Sequence, residues 1–124
     1  MITIELPWPE QVLWPNRSHG AHWSASAKAI ASAREAAHIM TRMQMPPGHA
    51  QRIDYCRAEL RVTFCAPTAR RYDISNSLTA LKGNFDGIAD ALGIDDYFFS
   101  PITLCRGHVF KGGRVIVEID LHDD

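Results

Sequence analysis

Nothing in the 124-residue sequence approaches the roughly 20 consecutive apolar residues that a membrane-spanning helix requires. The opening MITIELPWPE has neither the basic stretch nor the apolar core of a secretory leader, which argues for a cytoplasmic protein. Cysteine is scarce: Cys56, Cys65 and Cys105 are odd in number, widely spaced and include no C-x-x-C pair. A disulfide framework and a zinc ribbon are thereby excluded, and reduced thiols are expected. Internal repeats and low-complexity tracts are also missing, and no composition shift marks a boundary, so residues 1–124 read as one domain. A strong positive charge is absent too, since the formal net charge of −1 excludes a uniformly basic nucleic-acid coat.

What is present is 46% apolar residues, enough for one core but few enough in total that dimerisation would help. The charge is unevenly spread. Residues 52–82 carry Arg52, Arg57, Arg61, Arg70, Arg71 and Lys82 against three acids, whereas residues 83–124 carry three basic residues against eight acids. A phosphate-binding surface beside an acidic cation pocket would produce that split, and so would an ordinary solvated surface.

The alternation in ITIEL (2–6) predicts a short strand ended by PWPE. Residues 10–23 lack periodicity and predict a loop. From Ser24 to about Met43 an Ala-rich run predicts a helix capped by Ser24 or Ser26, with Ile30, Ala33, Ala37 and Met40 on one face, stopped by MPPGH. AELRVTFC (58–65) alternates and predicts the longest strand. A second helix follows from about Ser75 to Leu92, with Leu78, Leu81, Phe85, Ile88 and Leu92 in register and Gly93 placed to end it. LCRGHVF, the Gly112-Gly113 pair and VIVEIDL then read as a closing hairpin. The order β-loop-α-β-α-β-β predicts an α+β fold, a single mixed sheet with two packed helices.

The stretch YDISNSLTALKGNFDGIADALGIDDYFF (72–99) carries the chemistry. Asp73 is a natural helix cap, but Asp95 and Asp96 follow a helix C-terminus, where the dipole disfavours negative charge. On the helix itself, Lys82, Asp86 and Asp90 share one polar face and, taken alone, read as a solvated ladder of ion pairs. Asp73, Asn76, Lys82, Asp95 and Asp96 together point elsewhere. Phosphodiester hydrolysis needs a hard divalent cation held by carboxylates and a positive group near the phosphate, and these residue types supply both.

RRYDISN followed by LKGNFDGIADALGIDD resembles the RusA-type Holliday-junction resolvases, whose members typically show Arg, then D-x-D-N, a lysine, an Asp-Gly and a terminal Asp-Asp. The resemblance extends to LPWPEQVLWPNRSHGAHW at the start and FKGGRVIVEI at the end. It implies a RusA-like fold and a magnesium-dependent (manganese-tolerant) endodeoxyribonuclease without organic cofactor. Such an enzyme resolves four-way DNA junctions by paired symmetric nicks, as a homodimer, in DNA recombination and repair, and its family is common in phage-derived segments. By the same resemblance Asp73 and Asp96 are catalytic metal ligands, with Asp95 and Ser75 in support. Lys82 is the charge-stabilising lysine, and Asn76 positions the helix start or a ligand. Arg70, Arg71, Asn76 and Lys82 are the candidate DNA contacts, the arginines through backbone phosphates. Ser75 stands where the family has its second aspartate, so one negative charge is missing from the metal site. That substitution opens an alternative reading, a RusA-like protein that binds junctions and cuts them weakly or not at all. An unrelated α+β domain whose acids only solvate a surface is a further alternative.

A straight helix from Ser75 to Leu92 would separate Asp73 from Asp96 by about 25 Å at about 1.5 Å per residue, too far to share a cation. Either Gly83 and Gly87 break the helix, or antiparallel helices across a dimer axis bring Asp73 of one chain to Asp96 of the other. His19 and His22 have no further ligand to complete a zinc set. Trp23 is expected to pack. Tyr97, Phe98 and Phe99 are expected in the core, with base stacking or a dimer seam as the alternatives.

Overall fold

In the computed structural model, residues 1–15, 23–45 and 57–122 are described, residues 23 and 24 by backbone only. Alternation builds the strands. In β1 (Ile2–Pro7), Ile2, Ile4 and Leu6 are buried and their neighbours exposed. In β2 (Arg57–Cys65), Ala58, Leu60, Val62 and Phe64 are fully buried. In β4 (Arg114–His122), Val115, Val117 and Ile119 are buried in the same way. Burying each such side chain contributes about 1.5–3 kcal/mol, which fixes the register because a one-residue slip would expose every one of them.

The helical segments are α1 (Trp23–Gln44), α2 (Ile74–Ala80) and α3 (Lys82–Leu92). A one-turn 3-10 segment, Asp96–Phe98, leads into β3 (Phe99–Arg106). The sheet order is β1-β4-β2-β3, with β2 and β3 parallel and both other pairings antiparallel. It is therefore one mixed four-stranded sheet, and the fold is α+β. The helices cover the face that presents Leu60, Val62, Val117 and Ile119, meeting it with Ala37, Leu81, Phe85, Ile88 and Leu92.

Two expectations are corrected. The last two strands do not form a hairpin: β3 pairs with β2 in parallel, and β4 lies between β1 and β2. The connection runs past the end of β2, where Gly107 N–H donates to the Phe64 carbonyl (2.8 Å) and Phe110 N–H to that of Ala66 (3.0 Å). Gly112 and Gly113, at φ of 86° and 74°, turn this crossover into β4. The second predicted helix is divided at Leu81, whose φ of −92° and ψ of 4° leave the helical region.

Gly83 and Gly87 do not break the helix; both lie within α3 and are buried. A Cβ on Gly87 would sit 2.1 Å from the Arg34 carbonyl oxygen, and one on Gly83 2.9 Å from that of Ile30. The two glycines let the α3 backbone lie directly on α1. Asn84 bonds across the same seam, its Nδ2 donating to the Ala33 carbonyl at 3.1 Å. On α1 the buried positions are Ala29, Ala37 and Thr41, while Ile30 is 44% exposed.

Candidate active site

The loop leaving β2 bends over Pro67, Thr68 and Ala69 and reaches α2 through Arg70, Arg71 and Tyr72. Asp73 caps α2 from an extended conformation (φ −83°, ψ 120°). Its Oδ1 accepts from the Ser75 N–H (2.9 Å) and from the Ser75 hydroxyl (2.6 Å). That hydroxyl bond first, and then the backbone N–H groups of Ser75 and Asn76, hold the Asp73 carboxyl below its ordinary range. Asp73 is thus an exposed, ionised carboxylate at neutral pH, which suits a hard cation.

Asp73 and Asn76 open onto a cleft of about 440 Å³ whose other walls include Trp8, Trp14, Tyr72, Arg70 and Arg71. Trp8 stands 5.7 Å from Trp14 and packs edge-on to Tyr72 at 5.5 Å, centroid to centroid. Arg106 lies 5.2 Å from the Tyr72 ring centroid and donates to the Tyr72 carbonyl at 3.2 Å. Arginines beside aromatic faces are a combination that holds nucleic-acid backbone and bases. Arg70 and Arg71 are exposed.

Lys82 opens α3, and its Nζ lies 3.0 Å from Asp86 Oδ1 and 2.6 Å from Asp96 Oδ2. The second contact forms because Gly93, at φ 75°, ends α3 in a left-handed turn and the chain doubles back. Asp95 caps the following turn, its Oδ1 accepting from Tyr97 N–H at 2.9 Å. Two carboxylates, Asp86 and Asp96, thus share one ammonium, with Asp95 next to Asp96 in the chain. The hydrogen bond from Lys82 holds the Asp96 carboxyl below its ordinary range, and bonds to Asp96 and then Asp86 raise Lys82.

The straight helix expected between Asp73 and Asp96 is not formed, because it divides at Leu81 and the chain turns back after Gly93. Asp96 lies beside Lys82, at the start of α3, and not beyond its far end. Lys82 follows Asp73 by nine residues, across the break at Leu81. Among the described residues, Asp73, Asp95 and Asp96 do not form a three-donor group within one chain. Ser75 is committed to Asp73. Asp90 leaves the polar ladder and pairs with Arg34 of α1 through two contacts of 2.7 and 3.0 Å. Tyr97 and Phe98 are 82% and 45% exposed, so only Phe99 joins the core.

Sequence reasoning treated Asp86 as part of a solvated ladder and missed its place beside Asp96. The i, i+4 spacing from Lys82 was the available signal. Trp8, Trp14 and Tyr72 were also missed as cleft residues, and Arg106 as the cation on the Tyr72 ring, although Tyr72 directly precedes Asp73 and could have indicated an aromatic wall. Asn16, His19, His22 and Cys56 lie outside the described residues, as does the side chain of Trp23. Cys65 and Cys105 are free thiols.

No family model matches the sequence. An uncharacterized protein of Xylella fastidiosa strain Temecula1 is 37% identical over 119 residues, which cover 96% of this chain and 76% of that protein. The chain belongs to that protein's family. A match of this extent spans both the cleft and the Lys82 cluster, so neither stands outside the shared sequence. No helix among the described residues is long and apolar enough to cross a membrane.

Proposed function

We propose that the chain is a RusA-type, magnesium-dependent, structure-selective endonuclease that nicks four-way DNA junctions in the cytoplasm as a homodimer. The observation that carries this reading is the return of the chain after Gly93, which sets Asp96 against Lys82 and Asp86. A solvated ladder would not need the acid pair to come back to the lysine. Asp73 is ionised and exposed beside the arginine-lined cleft, so a carboxylate and phosphate-binding groups stand together there.

Asp73 and Asp96 would hold the magnesium ion, supported by Asp95 and, through Asp73, by Ser75. When bound, that ion would supply charge neutralisation at the phosphate and a more acidic water. Magnesium sites commonly use only one or two carboxylates, with waters and substrate phosphate completing the shell. Lys82, released from one of its two carboxylates, would offset charge on the departing oxygen. Arg70 and Arg71 would fix the strand through its phosphates, and Asn76 would hold the start of α2 against it. In the dimer, Asp73 of one protomer would work with Asp96 of its partner across the two-fold axis, giving two equivalent sites for two strands.

A second reading is favoured by Ser75. A serine hydroxyl where the family has a carboxylate weakens cation binding, and a protein of this kind would hold junctions and cut them poorly. Incubation with a synthetic four-way junction and magnesium separates the readings, with Asp73→Asn as control. Symmetric nicks lost in the control are the expected result. Junction binding without nicks in either protein supports the second reading, and neither binding nor nicks removes both.

A further inference from the structure

The face of the sheet turned away from α2 and α3 carries a donor set that the proposed nuclease chemistry does not use. Residues of β2 and β4 alternate, so Glu59, Asp120 and His122 project from the face opposite α2 and α3. Glu59 stands directly across from Asp120, and His122 across from Arg57, one diagonal step from Glu59. One ligand atom from each of Glu59, Asp120 and His122 lies within 4.8 Å of the other two.

Two carboxylates directly opposite each other disfavour a strand pair, and a cation held between them would offset that cost. The imidazole gives an independent indication. His122 Nε2 is shielded from solvent and makes no hydrogen bond, its nearest acidic neighbour being Glu59 Oε1 at 3.4 Å. The His122 side chain is 32% exposed, and a metal bond to the ring nitrogen's lone pair would replace that long contact. Arg57 directs Nη1 to the Ser100 carbonyl at 3.1 Å.

We propose that Glu59, Asp120 and His122 form a divalent transition-metal site, with zinc as the cation that one imidazole and two carboxylates suit. Zinc takes such ligands at about 2.0–2.2 Å, which requires its donors to stand about 3.3–3.6 Å apart in a tetrahedron. Imidazole is a poor ligand for magnesium, so the site is chemically distinct from the one in the proposed nuclease. Three protein ligands leave one position for water. The site lies at a corner of the sheet, because the pairing of β1 with β4 ends at Ile2 and Ile119. Beyond Ile119, β4 is held by β2 alone, and a metal there would clamp the two strand ends together.

The test uses full-length, untagged protein stripped with chelator and titrated with zinc alone by calorimetry, alongside thermal unfolding. One zinc equivalent is expected to bind and to raise the unfolding temperature, while magnesium at the same concentration does neither. His122→Ala should weaken zinc binding at least about tenfold and abolish the thermal shift. Glu59→Gln and Asp120→Asn, close in shape to the native side chains, should weaken it as well. Asp73→Asn and Asp96→Asn should bind zinc as the parent does. Zinc binding that is absent, or equal in the parent and all three site variants, overturns the proposal. Because nicking is not the readout, either outcome is independent of the nuclease reading.

Discussion

Ser75 directs both its backbone N–H and its hydroxyl at a single oxygen of Asp73. The pair therefore offers a cation one full charge where two aspartates would offer two. Ser75→Asp adds the second carboxylate at the same position, and magnesium-dependent nicking is expected to rise at least about tenfold, given the weight of carboxylate ligands for this ion. Unchanged nicking would mean that Ser75 does not limit the site. The Lys82–Asp96 contact makes a separate prediction about stability. Asp96 is lowered in the fold, so its contribution is complete above the unfolded value of about 3.9 and disappears as pH falls through the folded value. Lys82 is raised, so its side of the pair is lost only above about pH 10.4. Urea midpoints of the parent and Asp96→Asn should accordingly differ by a constant amount from pH 7 to pH 5 and converge toward pH 2. A difference that persisted at pH 2 would assign the effect to packing instead of charge.

At the level of elements, the seam between α1 and α3 depends on two missing side chains. Gly87→Ala drives a Cβ to 2.1 Å from the Arg34 carbonyl, so it should cost about 3 kcal/mol, the upper end for overpacking. Gly93→Ala meets no atom within 4 Å but must hold a φ of 75°, so it should cost only about 1–2 kcal/mol. Urea denaturation with an unchanged slope reads both, and equal losses would contradict the close approach of the helices. These glycines show where sequence reasoning reached its limit. The apolar stripe through Leu81, Phe85, Ile88 and Leu92 was legible because it repeats at helical spacing. The break at Leu81 was not, because Leu81 is a good helix former and nothing local announces a turn there. Gly83 and Gly87 pointed to a break on propensity alone; tertiary packing against α1 assigns them the opposite role.

On the scale of the whole molecule, strand identity was readable from alternation but strand pairing was not. Gly112-Gly113 between two β segments is the usual mark of a hairpin, yet β3 pairs with β2 in parallel and the turn serves a crossover. Pairing of that kind depends on the sheet's central strands and leaves no local signature. The same limit hid Glu59, Asp120 and His122, which meet only because β2 and β4 run side by side in one particular register. The candidate nuclease residues were legible one by one, but the proximity of Asp96 to Lys82 required the doubled-back chain after Gly93. The proposed dimer makes its own prediction. Asp73→Asn and Asp96→Asn proteins should each fail to nick, and mixing them with subunit exchange should restore single nicks, since mixed dimers keep one intact composite site. If mixing restores nothing, each site is built from one chain.

The central claim is that Asp73 and Asp96 converge on one divalent ion in the assembled protein. Anomalous diffraction from manganese-soaked crystals measures this directly. The account predicts a manganese peak within ligand distance of an Asp73 oxygen and an Asp96 oxygen, and that peak should be absent in Asp73→Asn. Carboxylates that remain far apart with no ion between them would contradict it.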